Sequence, residues 1–212
     1  ALALNLAAPA SPADWTLAPF VRPAGVNPVI SPRRDTLFDC PMRKRKVRWE
    51  SLHTFNPAAV VRGNQVFLLY RAEDDTGEGI GGHTSRLGLA VSDDGITFRR
   101  QPRPVFFPDV DAQKGNEWDG GCEDPRLVED EDGRYVMTYT QWNRKVPRLA
   151  IATSRDLVSW VKHGPAFARS GAALVDRPHK SGAIVCRLQG DRLKAARIAG
   201  RYWMYWGEGG VG

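Results

Sequence analysis

The chain has 212 residues, a formal net charge of +6 at pH 7 and a hydrophobic fraction of 42%, which fits a soluble globular protein. No apolar run approaches the roughly 18 residues of a membrane-spanning helix, so a membrane partner is not expected. The basic run at 43–48 has no aromatic platform or recognition helix beside it, so a solvated loop is favoured over a nucleic-acid site.

Cysteine and histidine usage gives no sign of a metal site. Cys40, Cys122 and Cys186 are widely spaced and form no CxxC pair, and the four histidines show no metal-ligand spacing. Cys122 and Cys186 could meet near the starts of two inner strands, but we expect buried free thiols at both positions. No metal and no organic cofactor is therefore expected.

The first 26 residues read as an N-terminal tail that precedes a folded domain at 27–212. Ala8-Pro9-Ala10 is similar to the cleavage site of a signal peptide, and export would place the protein in a periplasm or outside the cell. The alternative is a disordered Ala/Pro-rich tail on a cytoplasmic protein.

A repeat of about 68 residues organises the rest of the chain. Successive units begin at Asn56, Asp124 and Lys180, each at the start of a strand-like segment. Hairpin signals such as Gly63-Asn64 and Asp132-Gly133 supply the positive φ of tight turns and separate about four short strands per unit. Such repeats predict an all-β chain of β-propeller blades, whereas a β-sandwich would not repeat its sequence.

The repeat also predicts where a site should lie. In a propeller, the innermost strand of each blade starts near the central axis. Asn56, Asp124 and Lys180 occupy that place in successive units, so these residues are predicted to converge on one pocket.

Two arginines of the first unit are further candidates for ligand binding. Arg71 directly follows a strand, and Arg86 follows a Gly-Gly pair that allows a loop to pass close to a ligand. Either guanidinium could clamp a sugar hydroxyl or a phosphate. The alternative for Arg71 is a surface salt bridge with Glu73 or Asp75.

The run 118–126 contains the strongest candidate for a catalytic acid. It places three carboxylates, a Gly-Gly pair and a proline between a tryptophan and an arginine. The run opens a strand, which would hold Asp124 rigidly, although a turn with solvated acids is the alternative. Strand alternation predicts that Glu123 points to the opposite face and that Arg126 shares the face of Asp124.

Several of these segments together resemble glycoside hydrolase family 130, whose members are five-bladed β-propellers that act on β-mannosides. The resemblance implies that the chain covers about the first three of five blades, from about Asn27 onward. The matching segments are His53-Thr54-Phe55-Asn56-Pro57-Ala58, Tyr70-Arg71-Ala72-Glu73-Asp74, Thr84-Ser85-Arg86-Leu87-Gly88, Gly121-Cys122-Glu123-Asp124-Pro125-Arg126, Lys180-Ser181-Gly182 and Tyr205-Trp206-Gly207-Glu208.

The resemblance also implies roles for individual residues. Asp124 corresponds to the general acid of the family, and Glu208 looks like a base glutamate of its hydrolases. The residues expected to hold sugar hydroxyls are Asn56, Arg71, Arg86, Arg126 and Lys180.

Three functions follow from this reading. The main expectation is an inverting hydrolase of β-mannosides, specifically of β-1,2-linked manno-oligosaccharides, that uses acid and base carboxylates. The alternative is a phosphorylase that takes inorganic phosphate as co-substrate, with Arg71, Arg126 or Lys180 binding phosphate, and releases mannose 1-phosphate. The third is a non-catalytic carbohydrate-binding propeller, in which replacing Asp124 would spare ligand binding.

Overall fold

The computed structural model describes residues 21–190 and 192–208, and this part of the chain is built mainly of β-strands. The predicted signal-peptide site at 8–10 and most of the tail lie outside the described residues. Within them, no helix is long and apolar enough to cross a membrane.

Sixteen strands and two four-residue helices make up the described chain. The helices are α1 (Lys114–Glu117) and α2 (Ala172–Val175). The strands are β1 (Phe38–Cys40), β2 (Arg45–Val47), β3 (His53–Arg62), β4 (Gln65–Glu73), β5 (Ser85–Ser92), β6 (Arg99–Arg100), β7 (Gly121–Glu129), β8 (Tyr135–Trp142), β9 (Pro147–Ser154), β10 (Trp160–Pro165), β11 (His179–Ile184), β12 (Cys186–Gln189), β13 (Arg192–Ala195), β14 (Arg197–Ile198), β15 (Arg201–Tyr202) and β16 (Met204–Glu208).

The predicted repeat is present as two units of four antiparallel strands. Unit 1 contains β3, β4, β5 and β6 in that order, and unit 2 contains β7, β8, β9 and β10. A parallel bridge between Ser85 and Gly121 joins β5 to β7. In unit 3, β11 pairs with β16. The all-β class is confirmed, while the number of blades and the closure of a ring stay predictions.

Each unit carries a β-bulge at the same place in its first strand. The register shifts at Asn56-Pro57 of β3, at Asp124-Pro125 of β7 and at Ser181-Gly182 of β11. The first residue of each bulge is left-handed, with φ of 44°, 50° and 63°. The residue of unit 3 that matches Asn56 and Asp124 is therefore Ser181, and the prediction that Lys180 takes this place is wrong.

The bulge has a local cause in the sequence. Asn and Asp tolerate the left-handed region better than most residues do, because their short polar side chains hydrogen-bond locally. In units 1 and 2 a proline follows, which has no N–H to contribute to the ladder and is confined to edges and bulges of sheets. The extra residue also breaks the in–out alternation of the strand, with consequences for the site.

The main core lies between the sheets of units 1 and 2. Leu87 and Leu89 of β5 pack in one buried cluster with Met137 and Tyr139 of β8. Burying a side chain of this size stabilises the fold by about 1.5–3 kcal/mol relative to leaving it exposed. A second cluster packs β1 and β2 against the other face of unit 1, and Trp49 is fully buried there. Together the clusters make unit 1 a rigid support for residues at its strand ends.

All three cysteines are free thiols. Cys40 and Cys122 are buried, and Cys186 is exposed on β12. The expectation of a buried thiol is therefore right for Cys122 and wrong for Cys186, because β12 forms a hairpin with β13 whose Cys186–Gln189 strand is exposed along its whole length.

Candidate active site

The bulges of units 1 and 2 bring Asn56 and Asp124 into direct contact, as the repeat predicts. Asn56 Nδ2 donates a 2.8 Å hydrogen bond to Asp124 Oδ1. The same oxygen accepts a 3.0 Å hydrogen bond from Arg71 Nη1. Among the described residues none donates to Asp124 Oδ2, and the side chain keeps 24% of its surface exposed. One oxygen of Asp124 is therefore fixed and the other faces accessible space.

Arg71 joins three carboxylates in one cluster. Its Nη2 lies 2.6 Å from Glu73 Oε1 and 2.8 Å from Glu123 Oε1, in addition to the contact with Asp124. Only 10% of the arginine side chain is exposed. The alternative predicted for Arg71, a salt bridge with Glu73, is present, but it is buried and does not lie on the surface. We call these four residues the Arg71 cluster.

The prediction that Glu123 points away from Asp124 is wrong. The bulge at Asp124-Pro125 offsets the strand by one residue, so the alternation that the prediction assumed does not hold across it. As a result both carboxylates reach the guanidinium of Arg71. The bulge also lies between Asp124 and Arg126, so simple alternation no longer predicts that these two residues share a face.

Strand register explains why the remaining parts of the cluster meet. Phe55 stands opposite Arg71 in the ladder, and its ring centroid lies 4.5 Å from the guanidinium carbon. His53 stands opposite Glu73. On the other side of β4, Ser85 also stands opposite Glu73, and its hydroxyl accepts a 3.0 Å hydrogen bond from Arg71 Nε. Directly paired side chains in adjacent strands lie close together, so the ladder positions all five groups.

The surroundings shift the pKa values of the two glutamates of the cluster in opposite directions. Burial raises the pKa of Glu123 to about 7, with Arg71 opposing and Asp124 reinforcing the rise. For Glu73, burial is outweighed by the hydrogen bond from His53 Nδ1, 2.9 Å away, and by the charge of Arg71, so its pKa lies below the ordinary value. Burial therefore favours the protonated form of Glu123 and the ionised partners of Glu73 favour its carboxylate form.

An open cavity of about 830 Å³ adjoins the cluster. Arg71 and Glu73 form part of its wall, and Gly79, Ile80, Gly81 and His83 form another part. The remaining wall is mostly apolar and comes from the start of β3 and from the segment that precedes β1.

Arg86 does not fit the predicted role of holding a sugar hydroxyl. Its Nη1 lies 2.7 Å from Asp74 Oδ2, and neither side chain has any exposed surface. Its Nη2 lies 3.3 Å from Cys40 Sγ. The guanidinium is fully buried between Asp74 and Cys40, so no sugar can contact it in this arrangement.

Within the described chain, Arg126 and Lys180 make no hydrogen bond or ion pair with the Arg71 cluster. Arg126 is exposed and lines a cavity of about 180 Å³ together with Thr138 and Ala183. Lys180 is exposed on β11, opposite Gly207 of β16. Neither cation makes an ion pair with another residue of the described chain, so their predicted binding roles stay predictions.

Glu208 is the last described residue, and the ladder pairs it with His179. Its side chain lies outside what the structure describes, so the predicted role as catalytic base stays a prediction. In the described ranges, no group of three or more histidine, cysteine or acidic side chains is placed to hold a metal ion.

Sequence reasoning missed the roles of Glu73 and His53. Glu73 follows Arg71 by two positions on β4, and strand alternation places both on one face, so that signal was available. His53 carried no such signal, because its contact with Glu73 depends on the pairing of β3 with β4.

Comparisons with known proteins identify what this chain is similar to. A family model described as beta-1,4-mannooligosaccharide phosphorylase matches residues 23–211. A 1,2-beta-oligomannan phosphorylase of Thermoanaerobacter sp. (strain X514) is 34% identical over 152 residues, which cover 68% of this chain and 45% of the relative.

Two solved structures are more similar in sequence. One is 54% identical, with a TM-score of 0.89. Its description states that the GH130 family of mannoside phosphorylases contains glycoside hydrolases that target β-1,2 mannosidic linkages in Candida mannan. The alignment covers 92% of this chain and 54% of that one. A glycosyl hydrolase from Bacteroides ovatus is 53% identical with a TM-score of 0.88, covering 92% and 55% of the two chains. The chain thus spans about half the length of the relatives it matches.

Proposed function

The chain belongs to glycoside hydrolase family 130. From that premise, we propose that the whole protein cleaves the β-1,2-mannosidic linkages of manno-oligosaccharides. In this proposal Asp124 is the general acid. We also propose that the repeated units continue into a closed five-bladed β-propeller, in which the Arg71 cluster lies at the axial end of the first two blades.

The observation that carries this proposal is the way Asp124 is held. Asn56 and Arg71 both donate to Oδ1, so the carboxyl group is fixed in orientation while Oδ2 faces accessible space. A general acid must present its proton at hydrogen-bond distance from the leaving oxygen, and a fixed carboxyl does so without reorganisation. Oδ2 is accordingly the atom that protonates the glycosidic oxygen.

The remaining cluster supports this chemistry. The guanidinium of Arg71 forms ion pairs with three carboxylates, so its single positive charge does not balance all of them. Glu123, with its raised pKa, is protonated in part near neutral pH, so a proton is present beside Asp124. In an inverting reaction the acceptor attacks the sugar from the face opposite the acid, in a single displacement.

Phosphate is the acceptor that the family model and the curated relatives favour. Both are described as phosphorylases, and this supports the alternative better than the hydrolysis that the sequence predicts. Arg126 and Lys180 are exposed cations without an ion pair among described residues, and they are available to an anion. Phosphorolysis would release mannose 1-phosphate.

Water is the second candidate acceptor, and two observations favour it. The solved relatives above 50% identity are described in terms of glycoside hydrolases. In addition, the Arg71 cluster holds three carboxylates against one guanidinium, and such an excess of negative charge repels a phosphate dianion. Glu208 is then the base that takes the proton from water.

The test uses the full-length protein and β-1,2-mannobiose, with and without inorganic phosphate. Free mannose without phosphate identifies hydrolysis, and mannose 1-phosphate formed only with phosphate identifies phosphorolysis. We expect Asp124→Asn to lower kcat by about 10²–10⁴-fold, the range of a lost general acid. The matched control is Asp132→Asn on the exposed turn between β7 and β8, which should leave the rate unchanged.

A non-catalytic sugar-binding protein would behave differently. The wild-type protein would then bind β-1,2-mannobiose without turnover, with or without phosphate, and Asp124→Asn would leave binding intact. That result would refute the proposed activity.

A further inference from the structure

We propose that a second cavity, at the last strand of unit 2, binds a mannose unit of a long substrate chain outside the Arg71 cluster. This inference rests on the proposed function, which supplies the class of ligand. We call this space the β10 cavity. Its volume is about 330 Å³, and the lining residues that carry the argument are Phe106, Asp109, Asp111, Gln113, Trp160 and Lys162.

The β10 cavity and the Arg71 cluster lie on opposite faces of β7. Cys122 and Glu123 are neighbours in β7 ahead of the bulge, so their side chains leave the strand on opposite faces. Glu123 contacts Arg71, whereas Cys122 packs in the main core with Phe106, which also lines the β10 cavity. Among the described residues, none lines both this cavity and the one beside Arg71. A ligand bound here is therefore separate from the Arg71 cluster.

Aromatic rings form one wall of the β10 cavity. Phe106 and Trp160 meet edge to face, with ring centroids 5.9 Å apart. The Trp160 side chain is partly exposed, and its Nε1 donates a 3.1 Å hydrogen bond to Leu157 O, which fixes the plane of the ring. A rigid aromatic ring offers a large contact area at low cost in conformational entropy. This wall therefore suits the C–H face of a sugar ring.

Polar groups with unused hydrogen-bonding capacity form another wall. Asp109 Oδ1 accepts a 2.7 Å hydrogen bond from Val110 N, and no described residue donates to Oδ2. Gln113 Oε1 accepts a 3.1 Å hydrogen bond from Gln141 Nε2, while the amide nitrogen of Gln113 makes no hydrogen bond within the described chain. A sugar hydroxyl both donates and accepts, so neighbouring hydroxyls can use the free carboxylate oxygen and the free amide nitrogen.

The charges of the cavity disfavour ions of either sign. Lys162 Nζ lies 3.0 Å from Asp111 Oδ2, 2.5 Å from Glu117 Oε2 and 5.1 Å from the ring centroid of Phe106. Lys162 therefore already occupies the place between the carboxylates and over the ring that a cationic ligand would take. Asp109, which has no cationic partner in the described chain, repels an anion together with Asp111. A neutral polyhydroxylated ligand remains, and the mannose units of the proposed substrate are such groups.

A second binding place would change how the protein treats long chains. An oligomannan that reaches both the Arg71 cluster and the β10 cavity is held at two points, so its affinity exceeds that of either contact alone. β-1,2-Mannobiose has only two sugar units and occupies one place at a time. The β10 cavity is therefore expected to favour long substrates and to leave the turnover of the disaccharide unaffected.

The test measures the retardation of the full-length protein in native gels that contain increasing concentrations of soluble β-1,2-mannan. Asp109→Ala removes the free acceptor, and Ala112→Trp obstructs the cavity at an exposed lining position without deleting a side-chain hydrogen bond. We expect each variant to raise the dissociation constant for mannan by about tenfold. kcat/KM for β-1,2-mannobiose should stay unchanged. The matched control is Asp132→Ala, on the exposed turn between β7 and β8.

Three results would overturn the assignment. The first is a wild type that mannan does not retard, and the second is retardation of both variants equal to that of the wild type. The third is an equal loss of mannan binding and of mannobiose turnover, which would mean that the variants disturb the fold or the Arg71 cluster. If the wild type does not cleave β-1,2-mannobiose, the proposed function fails, and the retardation of the two variants still tests the cavity.

Discussion

Two buried arginines on neighbouring strands of unit 1 have different surroundings, one closed to solvent and one partly open. Arg86 on β5 faces one carboxylate, Asp74, and both are completely excluded from solvent. Arg71 on β4 faces three carboxylates and keeps 10% of its side chain exposed. The first arrangement balances its charge and is closed, whereas the second carries excess negative charge and is open to a ligand.

The register of the sheet produces this difference. Arg86 stands opposite Ala72, while Arg71 stands opposite Leu87, so the two guanidinium groups leave the sheet on opposite faces. One face packs against β1 and β2, where Arg86 reaches Cys40. The other face meets the bulge of unit 2, where Asp124 adds its carboxylate. The enclosed pair of Arg86 with Asp74 and the Arg71 cluster thus lie on opposite faces of one sheet.

The largest effect is expected when the buried ion pair of Arg86 with Asp74, here called the closed pair, is broken. Asp74→Asn leaves the buried guanidinium of Arg86 without its counter-ion, and removing one partner of a buried pair costs about 3–5 kcal/mol. Urea unfolding of the full-length protein should show this loss in the free energy of unfolding, with activity per folded molecule retained. Asp93→Asn, which opens an exposed pair with Arg99, is the control and should leave stability unchanged.

A stable Asp74→Asn protein that has lost its activity would contradict the division between the two arginines. It would place the closed pair in the catalytic machinery instead.

The next largest effect concerns the protonation of Glu123 in the Arg71 cluster. Burial raises the pKa of Glu123 from 4.5 to about 7, so between these values the folded state holds a proton that the unfolded state has released. The stabilisation is therefore complete below about pH 4.5 and is lost as pH rises through 7. The full difference amounts to about 3 kcal/mol.

Glu123→Gln removes this titration. We expect the free energy of unfolding of the wild type to fall, relative to the variant, by up to about 3 kcal/mol between pH 5 and pH 8. Urea unfolding of both proteins at several pH values measures it. Parallel pH profiles would contradict the raised pKa, and Glu117 does not interfere because its contribution is common to both proteins.

The smallest expected effect concerns the hydrogen bond from Asn56 to Asp124. Asn56→Ala removes one of two donors to Oδ1, and the loss of about 1 kcal/mol corresponds to about fivefold in kcat/KM for a β-mannoside. Alanine also adopts positive φ unfavourably, so Asn56→Gly serves as the comparison that lacks this strain. Full activity of Asn56→Gly would mean that Arg71 alone orients Asp124.

The site was only partly predictable, and the residues show why. Asn56 and Asp124 could be predicted because they occupy equivalent positions of the sequence repeat. Each repeat folds into the same four-stranded unit, so the equivalent positions stay equivalent in the structure. Glu123 was assigned to the wrong face because a bulge interrupts the period of two on which the assignment relied. The same bulge pattern makes Ser181, rather than Lys180, the equivalent residue of unit 3.

The sequence by itself determined the all-β class, the four-stranded repeat and the contact between its first two units, because these depend on periodicity and on local turn chemistry. Tertiary structure alone decided that Arg86 is enclosed, that Arg71 bridges three carboxylates and that His53 reaches Glu73. Burial and charge pairing depend on which distant segment packs against a strand face. Neither the composition of the strand nor its period contains that information.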